Sequence, residues 1–77
     1  MKATITIMLK NGVLDPQGAA VQAALGNLGF DQVQGARQGK VVELDLADGT
    51  NEDSIKAMCE QLLANTVIEA YSIQVAE

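Results

Sequence analysis

Histidine and tryptophan are absent from these 77 residues, and phenylalanine, tyrosine and cysteine occur once each, as Phe30, Tyr71 and Cys59. Without histidine, catalysis near neutral pH would fall to a perturbed carboxylate, Lys10, Lys40, Tyr71 or Cys59, and none of these stands in a recognisable nucleophile-and-base arrangement. A single cysteine builds neither a disulfide framework nor a thiolate cluster for a metal, which fits reducing, cytoplasmic surroundings. Positive charge is scarce too: five Lys and Arg against ten Asp and Glu give a net charge of -5. That balance opposes the phosphate neutralisation on which nucleic-acid affinity rests, so nucleic acid is not an expected partner. No apolar run approaches the roughly 18 residues of a membrane span. The opening segment 1–10 is interrupted by Thr4 and Thr6 and ends at Lys10 without a small-residue cleavage site, so it does not read as a targeting peptide. Neither a GxGxxG nor a GK[ST] phosphate loop can be drawn from the glycines.

What is present reads as one domain, 1–77. Ala3, Ile5, Ile7 and Leu9 alternate with Thr4 and Thr6, the period-two pattern of a half-buried strand. Asp15 followed by Pro16 predicts a helix start, Val21, Ala24, Leu25 and Leu28 fall on one helical stripe, and Gly29 closes it. Residues 30–37 form a weaker strand, turning at Gln38-Gly39 into a further strand over 41–47, where Val42, Leu44 and Leu46 alternate with Glu43 and Asp45. Thr50 and Asp53 have capping-box spacing ahead of a second stripe, Ile55, Met58, Cys59 and Leu62, running to about Ala64. Asn65 would then be a left-handed C-cap, and Tyr71, Ile73 and Val75 alternate in a last strand. The order β-α-β-β-α-β predicts an α+β, ferredoxin-like fold: a four-stranded antiparallel sheet with two helices on one face. So short a chain buries only about 60% of its unfolded surface and gains from association. The uncovered sheet face, with Thr4, Thr6, Met8 and Val41, is only partly polar, so a homodimer or higher oligomer is expected.

The expected topology gathers Lys10, Arg37 and Lys40, three of the five basic residues, at one end of the sheet beside a helix N-terminus. A phosphate or a partner's acidic surface could dock there, or the three cations could simply pair with Asp15, Asp31 or Glu69. Within LKNGVLDPQG, residues 9–18, Val13 and Leu14 are apolar where a loop would be polar, and Gly18 stands where glycine costs a helix about 1 kcal/mol relative to alanine. The stretch is either a docking edge, with Gly18 admitting another backbone, or a core plug under the sheet end. Asp45, Asp48, Glu52 and Asp53 could be drawn as a hard-cation site, but no ligand loop of known spacing is present and acidic residues suit a helix start. Cys59 lies on the buried helical stripe, as small core cysteines commonly do.

LKNGVLDPQG, the pairs Ala20-Val21 and Ala24-Leu25, LGF at 28–30, RQGK at 37–40 and LLANTVIEAY at 62–71 together resemble the PurS family, the small subunit of bacterial and archaeal phosphoribosylformylglycinamidine synthase. Thr66 and Ala70 depart from that family's pattern, which usually has Pro and then Asp or Asn there; Thr66 restores a backbone N–H and loosens the turn before the last strand. The resemblance implies a non-catalytic role. A large PurL-type subunit would bind ATP, its Mg and formylglycinamide ribonucleotide, a PurQ-type glutaminase would release ammonia, and this chain would bridge them, holding no cofactor or metal itself. The rival reading is a ferredoxin-like regulatory module that binds a small anionic metabolite. Lys10, Val13, Leu14, Asp15, Gly18, Arg37, Lys40, Asn65 and Glu69 are the candidate partner interface; with right-handed crossovers, their three stretches of chain meet at one end of the sheet.

Overall fold

The computed structural model describes residues 1–76. Strand β1 (Lys2–Leu9) leads to helix α1 (Pro16–Asn27), strand β2 (Lys40–Asp45), helix α2 (Glu52–Met58), a π-helical turn (Cys59–Leu63) and strand β3 (Glu69–Ala76). The sheet has the order β2-β1-β3, with β1 antiparallel to both neighbours. Alternation sends Ala3, Ile5 and Ile7 to one face, where Ile5 lies opposite Val42 and Ile73, and Ala3 opposite Leu44 and Val75. Ile55 and Cys59 descend on that row, and with Ala64 these residues make up the buried core. The other face carries Thr4 between Glu43 and Gln74, and Thr6 between Val41 and Ser72. This face is only partly polar, with Val41 60% exposed among the threonines and their polar neighbours.

The sheet of the described residues has three strands, not four. Residues 30–37 form an extended connector instead, because β1 already occupies one edge of β2 and this Gln- and Gly-rich segment offers only Val33 and Ala36 as half-buried side chains to hold it against the other. With no hairpin at Gln38-Gly39, β2 begins at Lys40, opposite Ile7.

A second correction follows from the first. An edge strand beyond β2 would draw the crossover helix over the sheet; without it, α1 contributes no side chain to the core, and the described residues extend 49 × 26 × 14 Å. The expectation of two helices on one face therefore holds for α2 alone.

Three local expectations are also revised. Asn51, not Thr50, caps α2, its Oδ1 accepting the Ser54 amide at 2.8 Å. Asn65 is not left-handed, since among the described residues only Gly12, Gly29 and Gly49 have positive φ. Its side chain instead closes a turn by accepting the Val67 amide at 3.2 Å. The stripe Ile55, Met58, Cys59, Leu62 splits at the π-helical turn, where Ala64 N–H donates to the Cys59 carbonyl at 2.8 Å. The extra residue in that turn rotates Leu62 outward, leaving it 84% exposed, while Leu63 packs on the core.

Ile55→Ala should cost about 2–5 kcal/mol, because it empties the centre of a core with one covering helix. Urea unfolding followed by circular dichroism measures this, and a loss below about 1 kcal/mol would show that the core lies elsewhere.

Candidate functional site

The chain gathers its distant stretches where β1 ends. Lys10 N–H donates to the Ile68 carbonyl at 2.8 Å, and Lys10 Nζ to the Thr66 carbonyl at 2.7 Å. Arg37 Nη2 donates to the Leu9 carbonyl. Lys40 Nζ lies 4.0 Å from Glu69 Oε2, and Glu69 Oε1 accepts the Asn65 amide at 2.7 Å. Lys10, Arg37, Lys40, Asn65 and Glu69 thus share one end of the sheet although far apart in sequence. Two of the three cations are engaged by backbone carbonyls, not by the carboxylates that the sequence offered.

Asp15 ties this end together. Its Oδ1 accepts the Gly18 amide at 2.9 Å, capping α1, and its Oδ2 accepts the Gln38 amide, also at 2.9 Å. Gln38 Nε2 donates to Gln17 Oε1 at 2.9 Å. The Gln38 amide first, then that of Gly18, holds the Asp15 carboxyl below its usual pKa. The close approach that Gly18 permits is made within its own chain: a Cβ there would meet the Ala36 carbonyl oxygen at 2.5 Å and Asp15 Oδ2 at 2.6 Å. Gly18 is buried and belongs to the scaffold of this end, not to its surface.

Val13 is half-buried, whereas Leu14 is 81% exposed, so the core-plug reading does not apply to Leu14. The turn at 65–68, bonded to Lys10, presents Val67, also 81% exposed. Sequence reasoning passed over Val67; an apolar residue in an Asn-led turn was the available signal. Leu14 and Val67 are thus exposed apolar side chains on the two segments that Lys10 joins through its bonds to the Thr66 and Ile68 carbonyls.

This end suits a protein surface better than a small anion. The Asp15 carboxylate already occupies the α1 N-terminus. A cleft of about 410 Å³ between α1 and the sheet is lined by Asp15 and Glu69 as well as Lys40, two carboxylates to one ammonium. Among the described residues, no three His, Cys, Asp or Glu side chains converge to hold a metal. Asp48 accepts from the Met1 ammonium at 3.2 Å, while Glu52 and Asp53 occupy the first turn of α2. Burial pushes the Cys59 thiol up, and a hydrogen bond to Glu60 at 2.7 Å pushes the Tyr71 hydroxyl up, so neither is primed as a nucleophile.

Gly18→Ala should destabilise by about 1–3 kcal/mol by overpacking, against the gain of about 1 kcal/mol that helix propensity alone predicts. Denaturant midpoints give the sign, and a stabilised variant would refute the packing described for this residue. Because the folded pKa of Asp15 is depressed, its contribution is present above the unfolded carboxyl value near 3.8 and is lost as pH falls below it. Asp15→Asn should therefore flatten the acid limb of the stability profile below about pH 4; an unchanged limb would count against the double amide contact.

Comparison with known proteins agrees with this architecture. The PurS family model, described as phosphoribosylformylglycinamidine (FGAM) synthase, matches residues 2–77. The phosphoribosylformylglycinamidine synthase subunit PurS of Bacillus subtilis (strain 168) is 47% identical, over 99% of this chain and 93% of that protein. Its counterpart in Methanocaldococcus jannaschii is 44% identical, over 96% and 93%. The solved structure of Bacillus subtilis PurS superposes with a TM-score of 0.89 at 47% identity, covering 99% of this chain and 98% of that one. A chain in the structure of PurLQS from Thermotoga maritima does so with a TM-score of 0.81 at 28% identity, over 95% and 93%. A match over the whole described chain, in sequence and in fold, shows that the chain belongs to the PurS family.

Proposed function

We propose that this chain is the small, non-catalytic subunit that bridges a PurL-type synthase subunit and a PurQ-type glutaminase in a cytoplasmic phosphoribosylformylglycinamidine synthase. The complex would use glutamine and ATP to convert formylglycinamide ribonucleotide to formylglycinamidine ribonucleotide in purine biosynthesis. ATP and Mg belong on the large subunit; this chain, itself a dimer or higher oligomer, holds the assembly together and supports ammonia transfer. The carrying observation is that Leu14 and Val67 stand uncovered on the two segments Lys10 joins, at the sheet end that also holds Arg37 and Lys40. The Thermotoga maritima PurLQS structure, which contains a similar chain, supports the choice of partners.

Exposed apolar anchors hold an interface, while rim charges steer encounter. Leu14→Ala should weaken association with the larger subunits by about 1–2 kcal/mol, roughly 5- to 30-fold, without loss of fold. Lys40→Ala should mainly lower the association rate and its salt dependence. Arg37→Ala also removes the bond to the Leu9 carbonyl, so its circular dichroism must be checked first. Co-purification from native extract is the direct test: PurL-like and PurQ-like proteins should accompany the wild type. A chain that comes alone would favour the metabolite-binding module. Turnover by the rigorously purified chain would contradict the non-catalytic role.

A further inference from the structure

Two exposed turns of the chain share one form. In each, an Asn or Asp precedes a glycine of positive φ: Asn11-Gly12, with Gly12 at φ 85°, and Asp48-Gly49, with Gly49 at φ 84°. Each is closed by a backbone bond, Val13 N–H to the Lys10 carbonyl at 3.1 Å and Thr50 N–H to the Ala47 carbonyl at 3.2 Å. Their chemistry differs. Asp48 offers a carboxylate, paired with the Met1 ammonium at 3.2 Å, and a carboxylate anion resists attack by a nucleophile. Asn11 offers a neutral amide whose nitrogen can leave as ammonia. Among the described residues the Gly12 N–H has no hydrogen-bond acceptor, and no atom lies within 4 Å of where a Cβ would stand, so the fold does not crowd the peptide as it rotates. The other side-chain amides lack one of these features. Gln17, Gln34 and Gln38 also precede glycine, but their longer side chains close a six-membered ring more slowly than Asn closes a five-membered one. Asn27, Asn51 and Asn65 precede Leu28, Glu52 and Thr66, whose side chains hinder the approach. Asn51 and Asn65 are in addition tied by Oδ1 to the Ser54 and Val67 amides.

We propose that Asn11 is a site of spontaneous deamidation, and that its conversion disarms the docking segment that carries Leu14. The Gly12 amide nitrogen loses its proton and attacks Asn11 Cγ. The Cγ–N bond forms, the Cγ–Nδ2 bond breaks, and Nδ2 takes up the proton and leaves as ammonia. Water then opens the resulting succinimide at either carbonyl, to aspartate or to isoaspartate. Both products add a negative charge beside Lys10 in a chain already at net charge -5, and isoaspartate also inserts a methylene into the backbone of the turn. The modification stands on the turn alone, whereas its effect on docking rests on the proposed function. Ring closure takes the peptide out of its turn, so a partner seated over Lys10 and Leu14 slows the reaction. Unassembled chains age, and assembled ones are preserved.

The full chain is incubated for days in neutral buffer, alone and in the reconstituted complex. It is then peptide-mapped by mass spectrometry, with isoaspartate labelled by an isoaspartyl methyltransferase. Conversion at Asn11 well ahead of every other amide, and none at that position in Asn11→Gln, is the expected result. An intact Asn11, or equal conversion at Asn27, Asn51 and Asn65, overturns the site. The aged chain should bind the larger subunits roughly 5-fold or more weakly than fresh chain, while Asn11→Gln keeps its affinity through the same incubation. Unchanged affinity of the aged chain, or equal rates of conversion free and assembled, overturns the effect on docking. Fresh chain that binds neither larger subunit contradicts the proposed function instead, and the map of the free chain still decides the fate of Asn11.

Discussion

The structure depends on the apolar row of β1. Ala3, Ile5 and Ile7 belong to the strand with a partner on each side, and Ile55 and Cys59 pack in one core with them, bordered by Val42 and Leu44 of β2 and Tyr71 and Ile73 of β3. A one-residue slip of β1 would turn this row to the face now held by Thr4 and Thr6 and expose the core. The same strand positions the candidate site, because its end delivers Leu9, Lys10 and the turn that follows to the carbonyls and amides of two distant stretches.

At that end the chemistry favours fixing the backbone over binding a ligand. The Asp15 carboxylate spends both oxygens on its own amides, and Lys10 and Arg37 are held by carbonyls. What stays free is apolar, Leu14 and Val67, on a framework in which no side-chain length is wasted at Gly18. A rigid support with an exposed anchor is what a docking subunit needs.

Much of this was legible from residue pattern. The alternation of β1, β2 and β3, the Asp15-Pro16 helix start and the buried Cys59 all depend on local spacing, and local spacing survived folding. Residues 30–37 failed as a strand because alternation says nothing about whether a free edge will accept the segment. The position of α1 failed with it, being a consequence of that strand. Leu62 was misplaced by a single inserted residue in the π-helical turn, which no 3.6-residue period can reveal. At the candidate site, the convergence of Lys10, Arg37, Lys40, Asn65 and Glu69 followed from crossover handedness. The burial of Gly18 did not, because its neighbour Ala36 lies in the misread segment.

The central claim is that this chain contributes assembly and nitrogen transfer, and no bond-making chemistry. Turnover of the reconstituted synthase, with and without this chain, using glutamine or free ammonia as the nitrogen donor, tests it most directly. The account predicts that omitting the chain abolishes glutamine-driven turnover and leaves ammonia-driven turnover largely intact. An equal loss with both donors would contradict it, placing this chain in the synthase reaction itself.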